Sequence, residues 1–166
     1  MAHAVVRTDK MYGTDNRTGM VSVAITENDG IDNGCVAILG DLVSGKREVY
    51  AITEPTASSD FNSVVLLDTP EVNSDPRKYA LDAHYNKKGD IARAYRLHKG
   101  DVFSVTKEAL AASDFDAVAA GDVVELKADY VLNVVSSATS GSTVIGKILG
   151  VETAGAHKFF VIEVTA

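Results

Sequence analysis

The chain has one cysteine, three prolines and no long apolar run. A single thiol excludes an intrachain disulfide. Its flanks, Gly34 and Val36-Ala37-Ile38-Leu39, read as a buried strand. Cys35 is therefore expected to be an inert core thiol, because a nucleophilic cysteine needs exposure and a His partner. Nothing indicates an oxidising compartment. No segment approaches the roughly 18 apolar residues of a membrane span. Met1–Lys10 has no apolar stretch of signal-peptide length, so a soluble chain made in the cytoplasm is expected. Basic residues are also scarce: 16 Lys+Arg stand against 23 Asp+Glu, for a net charge of -7. Such a chain is repelled overall by phosphate backbones and anionic membranes. G-x-S-x-G, a Walker loop, H-E-x-x-H and C-x-x-C are all missing. Gly141-Ser-Thr is followed by no helix that would supply a dipole to a phosphate. His3, His84, His98 and His157 lie too far apart for a local metal motif. They are expected as exposed polar residues at the terminus, at turns and at strand ends. Neither an enzyme nor a cofactor is expected.

What is present is a globular composition with a β pattern. The 166 residues, 46% of them hydrophobic, suit one domain or two small ones sharing an interface. Val21–Ile25 alternates. Cys35–Leu39, Arg47–Thr53, Ser63–Asp68, Ile91–Leu97 and Asp101–Val105 follow as short apolar or β-branched runs. Val123–Ala128, Val131–Val135, Thr143–Leu149 and Lys158–Val164 complete the series. Asp29-Gly30, Asn33-Gly34 and Gly45-Lys46 mark turns. About nine to eleven strands at this spacing predict a mainly β fold, an antiparallel sandwich or barrel with one or two short helices. In Ile91–Leu97, Ile91, Arg93, Tyr95 and Leu97 share one face and Ala92, Ala94 and Arg96 the other. Thr106–Ala112 is the best helix candidate, and Ser74–Ala83 a weaker one. Gly-Asp recurs at 40–41, 89–90, 100–101 and 121–122 and reads as repeated hairpin chemistry. Phe159 and Phe160 are adjacent, so a strand there is covered on both faces.

Residues 1–20 are polar, with Gly13, Asp15, Asn16 and Gly19 as turn formers. They are expected as an extended arm, either loose or ordering on a partner. Residues 21–166 form the β-rich domain, with a division considered near 72–90. Asp68 and Glu71, and Asp114 and Asp116, are the conceivable acid–base pairs; solvated loop charges are the expectation for them. One charge feature stands out. Arg77, Lys78, Lys87, Lys88, Arg93, Arg96 and Lys99 face only Asp82 and Asp90, with Tyr79, Tyr85 and Tyr95 interleaved. Three readings apply: a single-stranded nucleic-acid strand, a solvated face, or a patch complementary to an acidic partner or sister subunit. The net charge disfavours nucleic acid.

Several segments resemble those of the small head-decoration (capsid cement) proteins of tailed phages. They are Arg7-Thr-Asp-Lys-Met-Tyr-Gly13, Asn33-Gly-Cys-Val-Ala-Ile-Leu-Gly-Asp41 leading to Arg47-Glu-Val-Tyr50, and Leu66-Leu-Asp-Thr-Pro-Glu-Val72. Gly89–Val105 and Gly146–Val151 complete the set. The resemblance implies a non-enzymatic virion protein on the capsid exterior, made in the host bacterial cytoplasm. Its partners would be the major capsid protein and itself, as a homotrimer. The family transfers no catalytic residues. From charge and position, Arg7, Lys10, Tyr12, Arg17, Lys87, Lys88, Arg93 and Arg96 are the candidate contacts with capsid or sister subunit. A tail-tube, head-completion or adaptor protein is the alternative; a small β-barrel enzyme or ligand-binding module is a further one.

Overall fold

Three of the Gly-Asp pairs each stand immediately before a strand. Gly89, Gly100 and Gly121 have φ of +92°, +91° and +101°, backbone that a residue with a Cβ adopts only at a cost. The following aspartate closes the turn. Asp90 accepts the Lys87 N–H at 2.9 Å, Asp101 the His98 N–H at 2.8 Å, and Asp122 the Ala119 N–H at 2.9 Å. Each aspartate N–H also donates to the carbonyl three residues back. The fourth pair, Gly40-Asp41, lies within a strand instead.

A computed structural model describes residues 2–72 and 80–166. Among them are twelve strands: β1 (Val6–Lys10), β2 (Met20–Ala24), β3 (Val36–Leu42), β4 (Val49–Thr53), β5 (Val64–Leu67), β6 (Ile91–Arg96), β7 (Val102–Val105), β8 (Leu110–Ala111), β9 (Val123–Glu125), β10 (Leu132–Val135), β11 (Val144–Ala154) and β12 (His157–Val164). The fold is mainly β, as the strand spacing predicts. Strands β2–β6 close into a barrel in the order β2-β4-β3-β5-β6. The others form an open seven-stranded sheet, β1-β7-β12-β11-β9-β10-β8. Most pairs are antiparallel, but β2–β4 and β8–β10 are parallel. The chain changes sheet twice, between β1 and β2 and at 97–101 between β6 and β7, and neither change falls in the stretch 72–90 considered for a division. Residues 73–79 of that stretch lie outside the described residues.

Register shows which side chains fill the barrel. Val21 pairs with Ala94, Val23 with Ala92, Leu67 with Ala94 and Ala37 with Val65. Paired residues share a face, and closure turns this one inward. A five-stranded barrel is narrow, so alanine serves at three of these positions. The opposite face of β5 and β3, with Val64, Leu66 and Val36, is also buried, because the seven-stranded sheet packs over it. That explains why all four residues of β5 are apolar. One continuous core contains residues of both sheets.

Two expectations change. The N-terminal segment is extended but not a free arm. β1 pairs with β7, Val6 opposite Val105. Val5 accepts the Thr106 N–H at 3.0 Å and donates its own N–H to the Thr106 hydroxyl at 3.1 Å. Ala4, Val5, Val6 and Met11 are buried, and these few apolar side chains are enough to dock an otherwise polar segment. Thr106–Ala112 forms only the 3₁₀ turn Lys107–Ala109 before β8 pairs with β10. Seven residues are too few to hold a helix by local bonds; burial of Ala109 and Leu110 decides. The Ser74–Ala83 helix lies largely outside the described residues, with a 3₁₀ turn at Leu81–Ala83.

Candidate functional site

The turn between β1 and β2 is built to sit on Tyr95. A Cβ at Gly13 would stand 2.8 Å from Tyr95 Cδ1, so the missing side chain is what lets the chain approach the ring. Tyr12–Asp15 forms one helical turn, and its first N–H donates to Asp101 at 2.7 Å. Asn16 then accepts the Thr18 N–H at 3.0 Å and caps the 3₁₀ turn Arg17–Gly19. This geometry delivers Arg17 to the rim of an open cleft of about 570 Å³ on the barrel.

Arg93 and Arg96 of β6 line the same cleft, as do Met20, Tyr50, Pro70 and Ile91. On the barrel's outer face Ser22 lies opposite Arg93 and Ala24 opposite Ile91. Arg93 is held firmly. Its Nε donates to the Asp68 carbonyl at 2.8 Å, and its guanidinium carbon lies 5.2 Å from the centre of the Tyr95 ring. A terminal nitrogen stands 3.7 Å from the Asp68 carboxylate, which also accepts the Thr8 hydroxyl at 2.7 Å. Burial raises the Tyr95 phenol pKa, while Arg93 opposes that shift. Among the described residues, Arg17 and Arg96 make no ion pair within 4.0 Å. Among the described residues, Glu48 is the carboxylate on the cleft wall. With Arg93 matched by Asp68, Arg17 and Arg96 against Glu48 leave a local excess of positive charge on a chain of net charge -7.

Of the eight candidate contacts, Arg17, Arg93 and Arg96 therefore converge. The other five lie elsewhere. Arg7 is engaged, 2.7 Å from Glu152 with its guanidinium carbon 4.5 Å from the Phe159 ring centre. Lys10 borders a small hollow of about 160 Å³ beside it. The half-exposed Tyr12 ring lies against His98 and meets Asn16. Lys87 sits 5.7 Å from the Tyr85 ring centre, and Lys88 donates to Asn28 at 2.7 Å. Arg77, Lys78 and Tyr79 lie outside the described residues. The apolar cleft residues Met20, Tyr50 and Pro70 escaped sequence reasoning. Ile91 carried a signal, since alternation puts it on the Arg93 face.

The titratable groups expected to be solvated are in part structural. Asp68 is bound as above. Burial raises the Glu71 pKa, and Asp68 adds to that against a hydrogen bond from Asn33. Asp114 accepts the Asp116 N–H at 2.9 Å, and Asp116 pairs with Lys158 at 3.1 Å. His3 is stacked on Tyr85 and bonded to Asp32 at 2.8 Å. His84 Nε2 and His98 Nδ1 are buried, without hydrogen-bond partners among the described residues. Burial lowers the His84 pKa. These side chains pack because turns fold back over the sheets. Cys35 is buried, as its flanks predict, and burial raises its pKa.

No protein-family model matches the chain, and no curated protein matches it.

Proposed function

We propose that the protein is a non-enzymatic virion structural protein that binds the outer surface of a phage capsid and reinforces it. The observation that carries this is the cationic cleft. Two separate segments, the β1–β2 turn and β6, bring Arg17, Arg93 and Arg96 over one open surface. The surface also carries the exposed apolar side chains of Met20 and Ile91. Such a mixture suits a protein contact: charge gives steering and register, and apolar area gives affinity. The acidic remainder of the chain keeps free copies apart. The resemblance to head-decoration proteins supplies the partner, the major capsid protein, and the copies repeated over its lattice.

The test is co-sedimentation of purified protein with expanded capsids that lack it, counting bound copies per particle. Saturation at tens to hundreds of symmetry-related copies is expected. A ring of six or twelve would instead indicate a neck or tail component, and no binding would remove the capsid role. Deleting residues 1–20 is not a clean test of docking, because it removes β1 from the seven-stranded sheet.

A further inference from the structure

We propose that the Arg17/Arg93/Arg96 cleft receives an acidic peptide segment of the partner protein. This deepens the docking role proposed above and rests on it for the partner's identity. The cleft itself argues for the chemistry of its occupant. Arg93 and Arg96 leave opposite faces of β6 by alternation, and both reach the cleft that Arg17 also lines. Arginine suits the role, because its planar fork meets a carboxylate in two parallel hydrogen bonds.

Arg93 is fixed by Asp68 and the Tyr95 ring, so it is already oriented before a ligand arrives. Arg17 sits at the cleft rim on a capped turn anchored by Asp101. Met20, Ile91 and Pro70 line the same cleft and would cover an apolar side chain of the ligand. A long polyanion fits less well. Nucleic acid would bring many phosphates toward a chain of net charge -7 and gain from three arginines alone.

The experiment is fluorescence anisotropy on the full chain with a labelled hexapeptide, Asp-Leu-Glu-Asp-Leu-Glu. Its amide counterpart, Asn-Leu-Gln-Asn-Leu-Gln, and a labelled ten-nucleotide thymidine strand serve as comparisons. The acidic peptide is expected to bind at least tenfold more tightly than the amide peptide, and to weaken with salt. Arg17→Glu, an exposed change that spares the core, is expected to weaken it about tenfold or more, and Arg17→Lys by much less. Equal binding of acidic and amide peptides overturns the proposal. So does an unchanged affinity in both Arg17→Glu and Arg96→Gln, or tighter binding of the thymidine strand than of the acidic peptide.

Capsid co-sedimentation separates the two claims. If wild type fails to decorate but the peptide binds through the arginines, the capsid role falls and the cleft stands. If capsids bind wild type and Arg17→Glu/Arg96→Gln equally, decoration stands and the cleft proposal falls.

Discussion

Replacing Asp101 with Asn tests how the N-terminal turn is held. Asp101 is 3% exposed and holds two backbone N–H groups, Tyr12 at 2.7 Å on Oδ1 and His98 at 2.8 Å on Oδ2. Asparagine keeps one acceptor oxygen. The other position becomes an NH₂ facing an N–H, so one bond is lost and two donors meet. A hydrogen bond to a charged group is worth about 1.5–3 kcal/mol, and leaving a buried donor unsatisfied costs a further share, so a loss of roughly 2–4 kcal/mol is expected. For a chain of this size each kcal/mol lowers Tm by about 2–4 °C, giving a fall of roughly 5–15 °C. Asp90→Asn is the internal control. It occupies the same kind of Gly-Asp turn, but among the described residues its side chain accepts one exposed backbone N–H, that of Lys87, so about 1 kcal/mol or less is expected. Thermal unfolding by circular dichroism compares the two, and hydrogen exchange reads the Tyr12 amide. Equal Tm losses, or a Tyr12 amide equally protected in wild type and Asp101→Asn, would refute the reasoning.

Gly34→Ala is expected to cost about 2–4 kcal/mol, because its φ of +81° disfavours a Cβ and that Cβ would stand 2.9 Å from Val105 Cγ1. Gly45→Ala, at φ +78° with nothing within 4 Å, should cost only about 1 kcal/mol; urea melts giving equal losses would remove the close-packing argument. Glu125 is 1% exposed, yet its pKa is lowered: burial pushes it up, but the Thr139 N–H, the Thr139 hydroxyl and the Asn133 amide outweigh that. A carboxylate with a depressed folded pKa contributes stability present above its unfolded value of about 4.3 and lost as pH falls through the folded value. Glu125→Gln should therefore flatten the acid limb of the stability curve below that pH; an unchanged limb in urea melts across pH 3–6 would contradict this. Cys35 should resist iodoacetamide in the native protein and react readily in denaturant, as mass spectrometry would show. Rapid labelling of folded protein would mean that β3 opens.

Much of the secondary structure is determined locally and is visible in the residues themselves. The ten strand segments expected between Val21 and Val164 all appear, because period-2 alternation and Gly-Asp turns act over a few residues. Ala92 and Ala94 against Arg93 and Tyr95 already separate the two faces of β6. Cys35 as a buried thiol is legible for the same reason. β1 and β8 are not legible. Their few apolar residues mean nothing until the strands they pair with, β7 and β10, are in place. The sheet order, the closure of five strands into a barrel and the two parallel pairings are also long-range choices. So is the cleft, since Arg17 lies more than seventy residues before Arg93. Local sequence decides which backbone can extend and where it turns. Which side chains then meet depends on burying both faces of β5 at once, and only the tertiary structure settles that.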